Sequence, residues 1–455
     1  MMKAASSMKY FFETYGCQMN IAESSALALT AQERGWKEAA SAEEANLVLL
    51  NTCSVRATAE QRVFGRLSHY AGFKKKRPIG ASVFALAVTG CMSERLGEKL
   101  KENGADFVIG ISSGPRFVQV LEALEKGPGE TPKAQLDADE KPVFSFSSSH
   151  YDKSSPFRSF IPIMHGCDNF CSYCIVPYLR GREVSRSPDE ILKELRLLSE
   201  KGVKEFTLLG QNVNSYLWND GKKQLGFSEL LQMIARELRT SDEKCWVRFL
   251  SSHPKDFSDK TIQVLAENPV FCRHIHLCVQ HGSNRILDAM NRRYTRQQYL
   301  DLVKKLRSAM PDLSLSTDIL VGFPGESEED LEAVLSLMEE VKFLYSYMYH
   351  FNPREGTAAY SLPGRINEEV KKERLARVIV LQQRHTTELL KSRIGAEVTA
   401  LVEGISRKNA DELICRTERD ERVAIPGDDR FIGSFVKITL SSLRGNTFRS
   451  TIWSG

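Results

Sequence analysis

The stretch His165-Gly166-Cys167-Asp168-Asn169-Phe170-Cys171-Ser172-Tyr173-Cys174 decides how the rest of the chain is read. Its cysteines follow the spacing C-x-x-x-C-x-x-C and come directly after an apolar segment, Phe160 to Met164, whose pattern predicts a strand. Three thiolates therefore gather in one loop at a strand's C-terminal end. Two metal chemistries suit such a loop. An iron cubane held by three thiolates keeps one iron open for an exogenous ligand, whereas structural zinc wants a closed fourth position, which His165 could supply. The first implies a bound cofactor or substrate; the second implies only a stabilised loop.

Working outward, alternating apolar and helical segments continue on both sides. Downstream, strands are expected near Lys204 to Leu209, Trp246 to Leu250, His274 to Val279, Leu313 to Val321 and Leu344 to Phe351. Helices separate them, one opening at Ser187-Pro188-Asp189 and another after Ser327. Six such β-α units predict a partial barrel. Upstream, Tyr10 to Glu13, Asn46 to Asn51, Val83 to Thr89 and Asp106 to Ile109 read as strands of a separate parallel α/β domain. Gly127 to Pro156 has neither period and reads as a linker. After a charged helix from Glu369 to Arg393, Gly- and Asp-punctuated strands predict a small β-barrel of about five strands. The expected division is 8–126, a linker 127–156, 157–390 and 391–455.

Length and composition agree with this multidomain α/β reading. The 455 residues are about three single-domain lengths. With 42% hydrophobic and 26% charged residues, a disordered or collagen-like chain is excluded. No apolar run approaches the roughly 18 residues of a spanning helix, and the opening residues lack a secretory apolar core, so a cytoplasmic protein without membrane contact is expected. The net charge of +4, from 62 basic and 58 acidic residues, is too even to announce nucleic-acid binding. Local clusters must carry that. Arg285 to Arg307 holds seven Arg or Lys against two acids, with Tyr294 and Tyr299 interleaved, and suits either RNA or a solvated helix face. Arg180, Arg182 and Arg186 are better phosphate candidates, and Lys74 to Arg77 is ambiguous.

Ten cysteines without an export signal point to metal ligands or reactive thiols rather than disulfides. Cys17, Cys53 and Cys91 are far apart in sequence, yet each stands just past a predicted strand, and a parallel sheet gathers strand ends. A second three-thiolate site follows. Cys245, Cys272 and Cys415 have no partner spacing and read as buried apolar residues. Polar residues after the barrel strands, at Gly210-Gln211-Asn212, Ser251-Ser252-His253, Gln280-His281 and Ser316-Thr317-Asp318, offer donors and acceptors to one cavity, although any of them could merely cap a helix.

The loop from His165 to Cys174 resembles the cluster loop of radical S-adenosylmethionine (SAM) enzymes, and Asp318 to Glu326 resembles a recurrent glycine turn of that superfamily. The phrases Glu13 to Asn20, Asn51 to Arg56 and Gly90 to Arg95 resemble the N-terminal domain of the methylthiotransferases. Val402 to Lys408 and Arg422 to Asp428 resemble the TRAM barrel, an RNA-binding module. Tyr-Gly-Cys-Gln-Met-Asn from Tyr15 and the run Ile175 to Glu183 are most similar to the branch acting on isopentenylated adenosine beside the tRNA anticodon. A branch modifying a ribosomal protein, or threonylcarbamoyl-adenosine of tRNA, is the alternative, and a zinc-stabilised RNA-binding protein is the non-enzymatic one.

The resemblance implies two 4Fe-4S clusters, held by Cys167, Cys171 and Cys174 and by Cys17, Cys53 and Cys91. It implies two SAM per turnover, one donating a methyl group and one a 5′-deoxyadenosyl radical that activates adenine C2. Tyr173 aligns with the position that meets the cofactor's adenine, and Gln211, Ser251, Gln280 and Asp318 are the other expected cofactor contacts. The expected partners are a tRNA anticodon stem-loop and an electron donor of flavodoxin or ferredoxin class, with the enzyme a monomer. At Cys278 and His281 the sequence departs from the family's usual Pro and Ser.

Overall fold

The computed structural model describes residues 8–53, 57–76, 83–111, 114–126, 155–239, 244–451 and 453–454. The expected linker is thus outside the described residues up to Ser154, as are Ser54-Val55-Arg56, Arg77 and Ile452. Two compact units are present: residues 1–152 with 179–181, and the remainder.

The first unit contains β1 (Lys9–Tyr15), α1 (Gln18–Glu33), β2 (Lys37–Glu38), β3 (Leu47–Thr52), α2 (Ala57–Lys75), β4 (Ala85–Gly90), α3 (Cys91–Glu102), β5 (Phe107–Val108) and α4 (Gly114–Glu125). The strands form a wholly parallel sheet ordered β2-β1-β3-β4-β5. Leu47 to Leu50 is apolar without alternation because both sheet faces are covered. Leu47 and Leu49 pack with Ala31, Phe117 and Leu121, while Val48 and Leu50 pack with Val63, Leu67 and Leu100.

In the second unit, β6 (Arg158–Pro162), β7 (Met164–His165), α5 (Val176–Arg180, whose last two residues group with the first unit), β8 (Val184–Ser185), α6 (Pro188–Glu200) and β9 (Glu205–Leu209) come first. Then follow β10 (Leu217–Asn219), β11 (Gln224–Gly226), α7 (Phe227–Arg239), β12 (Trp246–Phe249), α8 (Asp259–Glu267), β13 (His274–His276), α9 (Asn284–Ala289) and α10 (Arg296–Ala309). β14 (Ser314–Val321), α11 (Glu328–Val341), β15 (Tyr345–His350) and α12 (Glu368–Lys391) complete the series. Parallel strands β6-β9-β12 and β13-β14-β15 are joined by bridges Val247 to Phe271 and Ser252 to Leu277, giving the expected six-stranded partial barrel. Among the described residues no strand pairs with the outer edge of its last strand, β15. The short pairs β7-β8 and β10-β11 are additions that sequence periodicity does not reveal, because strands of two or three residues carry no period.

The C-terminal segment folds into β16 (Glu397–Ser406), β17 (Asn409–Thr417), β18 (Arg422–Pro426), β19 (Phe435–Thr439), β20 (Ser442–Arg444), β21 (Thr447–Arg449) and β22 (Trp453–Ser454). This mostly antiparallel sheet has seven strands rather than about five, the extra two being the short β20 and β22. Its turn at Thr417 to Glu421 meets residues near the N-terminal ends of the barrel strands. Arg248 donates to the Thr417 carbonyl at 2.7 Å, Ser314 to the Arg419 carbonyl at 2.7 Å, and the Tyr345 hydroxyl to the Asp420 carboxylate at 2.7 Å. Glu205 accepts from Arg158 at 3.0 Å and Arg248 at 2.8 Å. These charges are buried and mutually paired, so deleting one leaves another uncompensated.

Burial opposes ionisation of Asp420, but His274, Arg416 and Arg248 hold its carboxyl well below the ordinary 3.8. Its contribution to stability is therefore full above about pH 4 and lost only as pH falls toward the depressed value. Asp420→Ala is expected to destabilise this unit by about 3 kcal/mol at pH 7. The measurement is the denaturant midpoint, with the gap to the native protein narrowing in strong acid.

Candidate functional site

A loop closing a barrel mouth must satisfy its buried backbone groups locally. The loop from Gly166 to Cys174 does so by bonding to β-strand ends and to the segment after α9. Gly166 N–H donates to Gln211 Oε1 at 2.6 Å, and Asn291 donates to the carbonyls of Asn169 and Phe170 at 3.2 and 2.9 Å. Ser172 N–H donates to the Met290 carbonyl at 3.0 Å and its hydroxyl to the Ala289 carbonyl at 2.8 Å. Phe170, Asn291 and Arg293 all hold left-handed backbone, with φ of 48°, 55° and 59°. Such strain persists only where surrounding contacts over-determine it.

Cys167 and Cys171 are buried and Cys174 is half-buried. Burial pushes the Cys167 thiol up to about 11, and burial with the neighbouring Cys171 pushes Cys174 up to about 12. Burial alone raises a thiol in this way, so what singles these three out is their spacing in one loop rather than their protonation. Arg292 donates to Cys171 Sγ at 3.3 Å and to the Cys278 carbonyl at 2.6 Å. It places a buried positive charge beside the loop, where the composition of Arg285 to Arg307 points instead to a surface.

The expected cofactor residues fall around this loop. Tyr173 packs against Ile286, Met290, Phe323 and Phe351. Gln211 is already bonded through its oxygen, leaving its amide N–H groups. Ser251 and Gln280 stand after β12 and β13 in left-handed conformation, φ 63° and 68°. Gln280 N–H bonds the Asp318 carbonyl at 2.9 Å. Asp318 Oδ2 lies 3.5 Å from His276 Nε2; burial raises its carboxyl, and the His276 hydrogen bond and charge bring it below the ordinary value. Three buried atoms after β9 and β12, Asn212 Oδ1, Ser252 Oγ and His253 Nε2, have no hydrogen-bond partner among the described residues. Orphaned polar atoms at the ends of β9 and β12 fit a polar ligand such as SAM.

In the first unit the parallel register pairs Tyr15 with Thr52 and Thr52 with Gly90, so Cys17, Cys53 and Cys91 leave adjacent strands at one level. Asn20 Oδ1 accepts from Cys17 N–H at 3.2 Å, and Asn20 donates to Asn51 Oδ1 at 2.8 Å. Gly90 has φ 93°, and a Cβ there would stand 2.2 Å from the Thr52 carbonyl oxygen, so the approach of β4 to β3 requires glycine. Arg180, grouped with this unit, pairs with Glu23 at 2.8 Å. Burial raises the Cys91 thiol against the opposing pull of Arg180.

Among the described residues, His276, Cys278 and Asp318 are the one group of three or more His, Cys, Asp or Glu whose ligand atoms lie within 4.8 Å of one another. Neither cysteine trio is that compact. A lone zinc needs sulfurs no farther apart than roughly 4.6 Å, twice its bond length. Several basic candidates already have acidic partners, Arg186 in the interior and Arg285 and Lys305 at the surface. Arg186 is buried on Glu194, Arg285 pairs with Asp330, Lys305 with Asp259 at 2.7 Å, and Tyr294 and Tyr299 are buried. Arg182 remains exposed beside Asp168 at 3.0 Å. His281 bonds Glu326 at 3.2 Å, and Glu326 pins the turn by accepting from Gly322 N–H at 2.7 Å. Cys245, Cys272 and Cys415 are buried as expected.

The described geometry is that of a radical SAM barrel, and sequence comparison agrees. Residues 161–338 match the radical SAM superfamily, 9–110 the uncharacterized protein family UPF0004, and 391–452 the TRAM domain. A Treponema denticola protein named tRNA-2-methylthio-N(6)-dimethylallyladenosine synthase is 48% identical, covering 98% of this chain and all of its own. Bearing the same name, a Bacteroides thetaiotaomicron protein is 40% identical over 98% of this chain and 96% of its own. The chain belongs to the radical SAM methylthiotransferase family, in the branch of these relatives. The family brings SAM and a 4Fe-4S cluster as cofactors. Among solved structures, the radical SAM methyltransferase TsrM from Kitasatospora setae superposes with TM-score 0.58 at 14% identity, covering 78% of this chain and 77% of TsrM. That likeness is one of fold.

Arg292→Met is expected to leave the barrel folded while removing the cation beside Cys171, shifting the cluster's reduction potential downward by tens of millivolts. Spectroscopically monitored redox titration of the reconstituted protein measures the shift.

Proposed function

We propose that this enzyme adds a methylthio group to C2 of N6-isopentenyladenosine at position 37 of tRNA. The carrying observation is near-full-length identity of up to 48% with relatives named for that reaction, in a chain that keeps the cysteine loop and the barrel. In this reading Cys167, Cys171 and Cys174 hold the radical cluster. Cys17, Cys53 and Cys91 hold a second cluster, supported by the common register of their strands. Two SAM are used per turnover, one for the methyl group and one as radical source.

A cluster held by Cys167, Cys171 and Cys174, with SAM, would supply a one-electron route to an unreactive C–H bond, which neither acid-base nor nucleophilic side chains could open. The chain's own residues bind and orient. Asn212, Ser252 and His253 present buried polar atoms to the cofactor, with Tyr173, Gln211, Ser251, Gln280 and Asp318 as further contacts. His253 is kept neutral by burial and by Arg292, so it meets the cofactor as an uncharged imidazole. The domains run 8–126, 157–390 and 391–455, with a linker at 127–156. The enzyme is a cytoplasmic monomer that takes electrons from a flavodoxin- or ferredoxin-class donor. Among the described residues no helix is long and apolar enough to cross a membrane.

Anaerobic reconstitution is expected to load about eight irons per chain, from two cubanes of four. Gly90→Ala should reduce this to about four by displacing Cys91, while SAM cleavage on reduction survives. Mass analysis after incubation with isopentenylated tRNA should show a methylthio gain. A gain on ribosomal protein or on threonylcarbamoylated tRNA instead, or a zinc-only colourless protein, would reject the reading.

A further inference from the structure

Arg180 carries a charge into the interior of the first unit. Its side chain is 3% exposed, and its guanidinium meets Glu23 of α1 with both terminal nitrogens, Nη1 to Oε1 at 2.8 Å and Nη2 to Oε2 at 3.5 Å, Glu23 itself being 11% exposed. Packing alone does not ask for such a pair, because desolvating two charges offsets most of their mutual attraction. Its neighbours supply the reason. Burial opposes the charge on Arg180, while Glu23, Cys91 and Cys17 hold it on. Burial likewise raises the Cys91 thiol; Arg180 draws it down by charge and hydrogen bonding, and Glu23 pushes it up. Guanidinium and carboxylate thus act on one sulfur with opposite sign.

The site already has another source of positive field. Cys17 caps α1 and Cys91 is the first residue of α3, so two helix N-termini stand at these cysteines, each equivalent to about half a positive charge. Thiolates on an iron cluster report such a field through the reduction potential: positive charge and N–H groups at sulfur ease reduction, and negative charge opposes it. Arg180 offers its N–H groups here, and Glu23 cancels the charge that comes with them. The loop of Cys167, Cys171 and Cys174 has only half of this device. Arg292 reaches Cys171 Sγ at 3.3 Å, but its other bonds go to the neutral Tyr294 hydroxyl at 3.2 Å and the Cys278 carbonyl at 2.6 Å. Among the described residues no carboxylate forms an ion pair with it. We propose that Glu23 and Arg180 are positioning residues that set charge: through Arg180, Glu23 holds the cluster of Cys17, Cys53 and Cys91 harder to reduce. An incoming electron is thereby biased toward the cluster of Cys167, Cys171 and Cys174, where it can cleave SAM. This rests on the two-cluster reading given above.

The test is a redox titration of the anaerobically reconstituted holoenzyme, with dithionite as the reductant and each cluster taking up one electron. Electron paramagnetic resonance reports the reduced clusters, and a non-cleavable SAM analogue marks the radical cluster by perturbing its signal. Glu23→Gln leaves Arg180 uncompensated and should raise the midpoint of the SAM-insensitive cluster by about 59 mV, roughly a tenfold change in its reduced-to-oxidised ratio, with the radical cluster unmoved. Arg180→Gln should lower that midpoint, and the double variant should return it close to the native value. Opposite shifts that cancel are a signature of charge, which a merely structural pair does not give. Single variants that keep about eight irons and move the midpoint in the same direction, or not at all, would overturn the proposal, as would a shift confined to the radical cluster. If one single variant loads only about four irons, the other single variant and the double variant make the same comparison. Loss of the first cluster from both single variants would also overturn it, since the pair would then hold the cluster rather than set its potential. Native protein that loads only about four irons would overturn the two-cluster reading instead.

Discussion

A loop of short residues bearing three thiols has no secondary structure with which to satisfy its own peptide groups. That constraint shapes the radical half of this protein. The carbonyls of Asn169 and Phe170 are bonded by one amide side chain, Asn291, and Ser172 is bonded twice to the end of α9. The segment from Ala289 to Arg293 thus fixes the loop's shape while presenting Arg292 to Cys171. Position and charge are delivered by the same few residues. The strained backbone at Phe170, Asn291 and Arg293 is tolerated because the bonds on either side leave no relaxed alternative.

The first unit solves a similar problem with different means. Its three cysteines lie on separate strand ends, and what aligns them is the shared register of a parallel sheet buried on both faces. Asn20 and Asn51 then tie α1 to β3 by buried amide bonds, at 2.8 Å and, through the Asn20 carbonyl, 2.9 Å. Such a fully satisfied polar pair specifies one arrangement where apolar packing alone would accept several.

Much of this architecture is legible in the order of residues alone. Apolar runs and turn residues locate the six barrel strands and β1, β3, β4 and β5 of the first unit, while the exposed two-residue β2 goes unread. Cysteine spacing singles out the loop. The limits are equally physical. The cation-rich stretch from Arg285 to Arg307 reads as surface by composition, and Arg285, Arg293, Lys304 and Lys305 are exposed, yet Arg292 is buried. A linear sequence does not reveal which guanidinium will meet a thiol rather than water. Strands β20 and β22 are too short to carry a period. The tyrosines of β15 have the composition of ordinary strand formers, and nothing in their spacing marks Tyr347 and Tyr349 as exposed.

The turn from Thr417 to Glu421 has a consequence for biosynthesis. Glu205 and Arg248 emerge from the ribosome well before the residues that cover them, and until those arrive the barrel base keeps a hydrated, half-neutralised floor. The nascent chain cannot finish this unit domain by domain from its amino end. A segment made late completes one made long before, so the barrel base reaches its paired state only after the turn has been made.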